Sequence, residues 1–198
     1  MFYDAIKNDH GFQYDPFKAL VAPRPIGWIS TLSANGKANL APYSYFNAMS
    51  QAPHYVVFGS GPKKDSLHNA EAAGEFAVNL ATWDLREKIN VSSAVVPPEI
   101  DEFELAGLAK APCRLIAAPR VAESPVCFEC KLYKIIDLPG DDGSVANFLA
   151  IGRVIGIHID DRFIHEGRVD TAGMKPIARL GYSEYATVDV AWRMRRPG

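Results

Sequence analysis

The sequence predicts a mainly β domain: six to eight strands curled into a closed or split barrel, with two or three helices packed outside. Three observations carry this. The second half is a succession of long β-branched and aromatic runs with no helical pattern between them. The links between successive runs are short and rich in Gly, Asn, Asp and Pro, which favours antiparallel pairing. A doubly wound sheet would need helices alternating with strands, and the second half lacks them. At 198 residues the chain is long enough for one sizeable core and short for two, so residues 1–198 are expected to form a single domain.

The elements follow in order. The N-terminal stretch has no clear period and ends in "APRP", where proline pushes the preceding Arg24 toward extended backbone. "IGWISTLSANGKANLAPY" carries apolar residues on both sides of Asn35-Gly36, a strong turn dipeptide, and reads as a β-hairpin. Val56 to Ser60 reads as a short buried strand. Asp65 to Ala73 reads as a helix, with Asp65 or Ser66 at its start and Gly74 as its stop. "EFAVNLA" is another strand. Thr82 is placed to cap a helix through "WDLREKINVSSA", in which Leu85 and Ile89 share a face. "VVPPEIDEFELAGL" is a proline-broken excursion with room for one helical turn. "CRLIAAPRVA", "VCFECKLYKIIDL" and "ANFLAIGRVIGIHI" read as extended runs, the last two joined by the turn "PGDDGS".

Composition narrows the function classes. A formal net charge of −2 gives no support to a nucleic-acid or charged-membrane partner. No apolar run approaches the ~18 residues that span a bilayer, and no secretory signal is visible. Cys113, Cys127 and Cys130 make an odd count, which argues against a disulfide framework and fits a reducing cytoplasm. Cys127 and Cys130 stand three apart in a strand, so they point to opposite faces, and no neighbouring histidine completes a metal site. The five histidines are scattered and no G-x-S-x-G elbow is present, so hydrolase chemistry has little support.

Four stretches could hold a ligand. In "GSGPKKDSLHNA" a strand ends at Ser60, and a helix begins near Lys64, Asp65 and Ser66. Hydroxyls, a cation and helix amides are what a phosphate needs, although a solvated turn would look similar. In "RPIGWIST", Trp28 and Ser30 face one way and Ile29 and Thr31 the other. Such a strand suits either a core or the wall of a flat cofactor. "APYSYFNAMS" sets Tyr43, Tyr45 and Phe46 beside Ser44 and Asn47, which suits a planar, amide-bearing ligand or a packing turn. Arg179, in "KPIARLGYSEY", is a weaker anion ligand.

Taken in order, "APRPIGWIST", "NGKANLAPYSYFN", "GPKKDSLHN", "GEFAVNLA", "FECKLYKII", "FLAIGRVIGIHID" and "KPIARLGYSEYATV" resemble the flavin reductase-like family, whose fold is the FMN-binding split barrel. The resemblance runs from about residue 15 to about residue 190. It implies a homodimer with FMN between the barrel and the partner subunit, and NADH or NADPH as electron donor. It also implies roles for residues. Trp28, Ile29, Ser30 and Thr31 would line the ring. Ser44, Tyr45, Phe46 and Asn47 would frame it. Ser60, Lys64 and Ser66 would hold the phosphate while Asp65 caps the helix, and Arg179 would add a further contact. "PYSYFN" and the segment "SSAVVPPEIDEFELAGL" depart from the shorter reductases of the family. An FMN carrier or sensor that does not turn over nicotinamide is therefore the alternative expectation.

Overall fold

The computed structural model describes residues 1–197. Seven strands form one antiparallel sheet: β1 (Gly27–Leu32), β2 (Ala38–Tyr43), β3 (Phe46–Gln51), β4 (His54–Ser60), β5 (Glu75–Leu80), β6 (Val126–Pro139) and β7 (Val145–Ile159). Their order across the sheet is β2-β1-β5-β6-β7-β4-β3. The two edge strands, β2 and β3, are consecutive in the chain, with only Ser44 and Tyr45 between them. The sheet therefore curls until its edges meet at that link, as a barrel split along one seam.

The Asn35-Gly36 hairpin forms as the sequence reads. Gly36 takes φ 75°, its amide donates to the Ser33 carbonyl, and Trp28 pairs with Pro42 across the strands. Helix α1 (Asp65–Ala73) also forms, and Gly74 ends it in the left-handed region with its amide on the Ala70 carbonyl. The start differs from expectation. Lys64, in extended backbone, occupies the N-cap, and Asp65 is the first helical residue. There its carboxylate complements the helix dipole instead of capping an amide.

The alternation of β1 splits the interior into two cores. Ile29 points into the barrel with Phe58, Phe76, Val78 and Ala150, and α1 adds Leu67 and Ala70 to that cluster. Trp28 points outward to a second cluster with Leu40, Leu85, Ile89 and Phe103. Helices α2 (Arg86–Val91) and α3 (Glu102–Leu105) cover this outer face, while α1 flanks the barrel, burying Leu67 and Ala70 against the inner core and leaving His68, Glu71 and Ala72 exposed. Full burial of side chains such as Phe58 and Phe76 contributes about 1.5–3 kcal/mol each.

Two expectations are corrected. The helix after Thr82 is broken into a 3-10 turn, Trp83–Leu85, followed by the short α2; Leu85 and Ile89 do share the outer core. Thr82 sits at the N-cap of that turn but makes no side-chain cap, and its backbone is bridged to Pro176. "CRLIAAPRVA" is mostly irregular, with only Arg120–Val121 in a strand. Its amides find buried side chains instead of a neighbouring strand. Arg114 and Leu115 donate to Glu129 (2.8 and 2.6 Å), Ala117 to Glu75 (2.6 Å) and Val121 to Asn79 (2.9 Å). Those partners satisfy the backbone, so no ladder is needed.

Candidate functional site

A cavity of about 1060 Å³ opens at the barrel seam. It is lined by the end of β2 and the β2–β3 link, by the start of α1, and by the segment from Ser92 to Val96. Of the residues singled out in the sequence, Ser44, Tyr45, Ser60, Lys64, Asp65 and Ser66 all line it. A tight backbone approach shapes the rim. The Gly59 amide donates to the Tyr45 carbonyl at 2.7 Å, and a Cβ on Gly61 would collide with the Asn147 amide.

The anion-binding features converge at the start of α1. The Asp65 and Ser66 amides have no backbone acceptor, whereas Leu67 already donates to the Lys64 carbonyl (2.9 Å), and this end of the helix carries the positive end of its dipole. Lys63 is engaged by Glu71 at 2.9 Å, whereas Lys64 forms no ion pair among the described residues. The serines behave differently from expectation, since both hydroxyl protons are committed internally. Ser60 Oγ donates to the Pro62 carbonyl (2.8 Å) and Ser66 Oγ donates to Asn39 Oδ1 (2.6 Å).

The free hydroxyl belongs to Tyr43. Its ring packs on Phe58 with centroids 5.0 Å apart, and only 7% of the residue is exposed. Its Oη is buried in the cavity lining without a hydrogen-bond partner. Burial raises its pKa; the nearby Ser66 and Ser60 hydroxyls temper the rise, and the charges of Asp65 and Glu102 add to it. The phenol thus stays protonated, as a donor waiting for an acceptor. The Ser60 and Ser66 hydroxyls lie close enough to act on its pKa but at a geometry too poor to satisfy it, so an oxygen of a bound ligand would complete a hydrogen bond that the protein leaves incomplete.

Glu102, which no sequence motif singles out, also lines the cavity. It accepts from Asn39 Nδ2 and from the Leu40 amide, both at 3.0 Å, and so fixes the Asn39 amide that in turn receives Ser66. Burial lifts its carboxyl above the ordinary range despite those hydrogen bonds. A raised folded-state pKa means the native state holds its proton longer than the unfolded chain. Its contribution to stability is full below the unfolded value, near 4.5, and is lost as pH rises through the folded value. Glu102→Gln removes this titration. The stability advantage of the wild type over Glu102→Gln is therefore expected to shrink from pH 4 toward neutrality; urea unfolding across that range checks it. An advantage that grows with pH would contradict the assignment.

The other sequence candidates are used structurally. Trp28, Ile29, Ser30 and Thr31 are fully buried, and none lines the cavity. Trp28 Nε1 donates to Ser92 Oγ (2.9 Å), Ser30 Oγ donates to the Pro119 carbonyl (2.6 Å), and Thr31 Oγ1 accepts from Asn69 (3.2 Å). Their edges are also occupied, since β1 is paired on both sides. The Trp28 bond does serve the cavity at one remove, because Ser92 lines it. Phe46 packs on Gly27, where a Cβ would fall 2.5 Å from its ring. Asn47 Oδ1 accepts from the Ala48 amide. Arg179 stacks on Tyr185 at 4.5 Å and bonds to the Tyr182 carbonyl, away from the cavity lining. Among the described residues, no helix is long and apolar enough to cross a membrane.

Comparison with known proteins agrees with this architecture. The model of the flavin reductase like domain matches residues 20–173. An uncharacterized protein of Halalkalibacterium halodurans is 35% identical over 182 residues, covering 89% of this chain and 87% of the relative. Nitrilotriacetate monooxygenase component B from Bacillus cereus superposes with a TM-score of 0.89 at 31% identity, covering 98% of both chains. The 2-nitrobenzoate 2-nitroreductase of Pseudomonas fluorescens gives 0.87 at 29% identity, covering 100% of this chain and 96% of that one. The match spans the barrel, α1 and the cavity between them, and the chain belongs to the flavin reductase-like family.

Proposed function

We propose that this protein is an FMN-dependent oxidoreductase that takes reducing equivalents from NADH or NADPH, acting as a cytoplasmic homodimer. The observation that carries the reading is the unpartnered Tyr43 hydroxyl beside the start of α1 and Lys64, in a cavity large enough for a mononucleotide. Those groups fit a phosphate: one neutral donor, one cation and the first-turn amides. When bound, the flavin supplies hydride acceptance and onward electron transfer.

The chain's own part is binding and orientation. Lys64 and the amides of Asp65 and Ser66 neutralise the phosphate, and Tyr43 donates to it. Ser60 and Ser66, already bonded inward, hold the shape of the seat. Ser44 and Tyr45 frame the ring from the seam link, whose backbone is fixed by Gly59. The segment from Ser92 to Val96 limits water access. Trp28, Ile29, Ser30, Thr31, Phe46 and Asn47 support this frame rather than touch the ligand through their side chains, and Arg179 braces the C-terminal turn.

The test is direct. Purified protein incubated with FMN and dialysed is expected to stay yellow and to melt at a higher temperature. Anaerobic addition of NADH or NADPH is then expected to bleach the flavin absorbance within seconds. A colourless protein with an unchanged melting temperature overturns flavin binding. A yellow protein that does not bleach with either donor overturns the reductase activity and leaves an FMN carrier or sensor.

A further inference from the structure

A second cavity, about 620 Å³, lies at the other end of the β6–β7 hairpin, and beside it the fold assembles three ligand-type side chains from different segments of the chain. Glu129 comes from β6, His158 from β7, and Cys113 from the irregular segment before β6. One ligand atom from each lies within 4.8 Å of the others. From these positions we propose that Cys113, Glu129 and His158 form a binding site for a divalent transition metal of the zinc type.

The chemistry of the set favours such an ion. One sulfur, one imidazole nitrogen and one carboxylate oxygen form a borderline donor set, suited to Zn²⁺ rather than to Mg²⁺ or Ca²⁺. Bonds of about 2.0–2.3 Å in a tetrahedron place neighbouring donors roughly 3.3–3.8 Å apart. His158 Nε2 and Glu129 Oε1 are now 2.5 Å apart, so an ion would part them by about 1 Å.

The site also has the supporting bonds that metal centres require. The Glu129 carboxylate is only 1% exposed and is held by the Arg114 and Leu115 amides, at 2.8 and 2.6 Å. Those amides fix its orientation, as outer-shell donors do in metal sites. Cys113 is a free, half-buried cysteine. Once its proton leaves, thiolate and carboxylate together balance the charge of a divalent ion. Glu129 and His158 both line the second cavity, so a fourth coordination position opens into it. Arg114 and Arg120 line that cavity too, which favours hydroxide or a small carboxylate as the fourth ligand. Cys127 lies beside Cys113 in one small core and Cys130 in the barrel core, and neither is among the clustered ligand atoms.

Cobalt reports on this site without any flavin. Chelator-treated full-length protein, titrated with Co²⁺ alone, is expected to bind one equivalent and develop a thiolate-to-cobalt charge-transfer band that Zn²⁺ abolishes. Cys113→Ser is expected to lose the band, and His158→Gln to bind at least about tenfold more weakly. Cys127→Ser is expected to keep the band. Absence of the band in the wild type overturns the proposal whatever the variants do. So does a band that survives Cys113→Ser, or binding that His158→Gln leaves unchanged.

Discussion

Lys64→Ala combined with Tyr43→Phe is expected to lower FMN affinity by at least about a hundredfold. Hydrogen bonds to a charged group contribute about 1.5–3 kcal/mol each, and 1.4 kcal/mol is a tenfold change in affinity. Two such bonds lost from one seat reach that figure even at the low end, although neighbours are not strictly additive. The two substitutions also differ in the free protein. Tyr43→Phe removes a buried hydroxyl without a partner, so the flavin-free protein is expected to melt no lower than the wild type, or slightly higher. Lys64→Ala alters an exposed side chain and is expected to leave the free protein unchanged. Fluorescence titration with FMN and melting of the free protein separate binding from folding. Unchanged affinity in the double variant would move the phosphate away from α1.

Gly152→Ala is expected to destabilise the barrel by about 1–3 kcal/mol, and Gly152→Val by more. Gly152 lies in β7 between Leu132 and Val56 of its neighbours, and a Cβ there would run into the Phe76 ring and lie 3.1 Å from Cys130 Cβ. That ring cannot swing aside. It is fully buried and meets Phe58 edge-on, with centroids 5.2 Å apart. Phe76→Ala, which vacates the same space, is expected to cost about 3–5 kcal/mol through the cavity it leaves. Phe76→Leu with Gly152→Ala is expected to be more stable than the sum of the single changes predicts, because each relieves the other. Chemical denaturation of the four proteins completes the cycle. Strict additivity would mean that glycine is not there to admit the ring.

Local chemistry made much of this architecture legible. Asn35-Gly36 marks its hairpin, Gly74 stops α1, and the alternation of Trp28 and Ile29 separates two cores as period-two spacing requires. The seam cavity was legible in part, because "YSYFN" and "GSGPKKDS" both reach it. Which atoms remain free was not legible. A serine looks like a donor in sequence, yet Ser66 is consumed by Asn39, a residue 27 positions away. Tyr43 looks like one aromatic among three, and only the packing of Phe58 and the inward turn of both serines isolate its hydroxyl. Glu102 lies in a proline-broken excursion with no motif of its own. Its role arises from a contact 62 positions distant, with Leu40.

The irregular segment from Cys113 to Val121 inverts the usual division between variable loop and constrained strand. Four of its amides are held by Glu75, Asn79 and Glu129, while Ile116, Ala118 and Val121 bury their side chains in the cores. Beyond those packed side chains and Cys113, the backbone of the segment carries a constraint of its own. Proline at 114, 115, 117 or 121 would delete a donor and strand a buried acceptor. The sequence already carries proline at 112 and 119, positions whose nitrogens donate to none of those three acceptors. Part of the constraint on this loop is thus written in β5 and β6, whose Glu75, Asn79 and Glu129 decide where it can accept a proline.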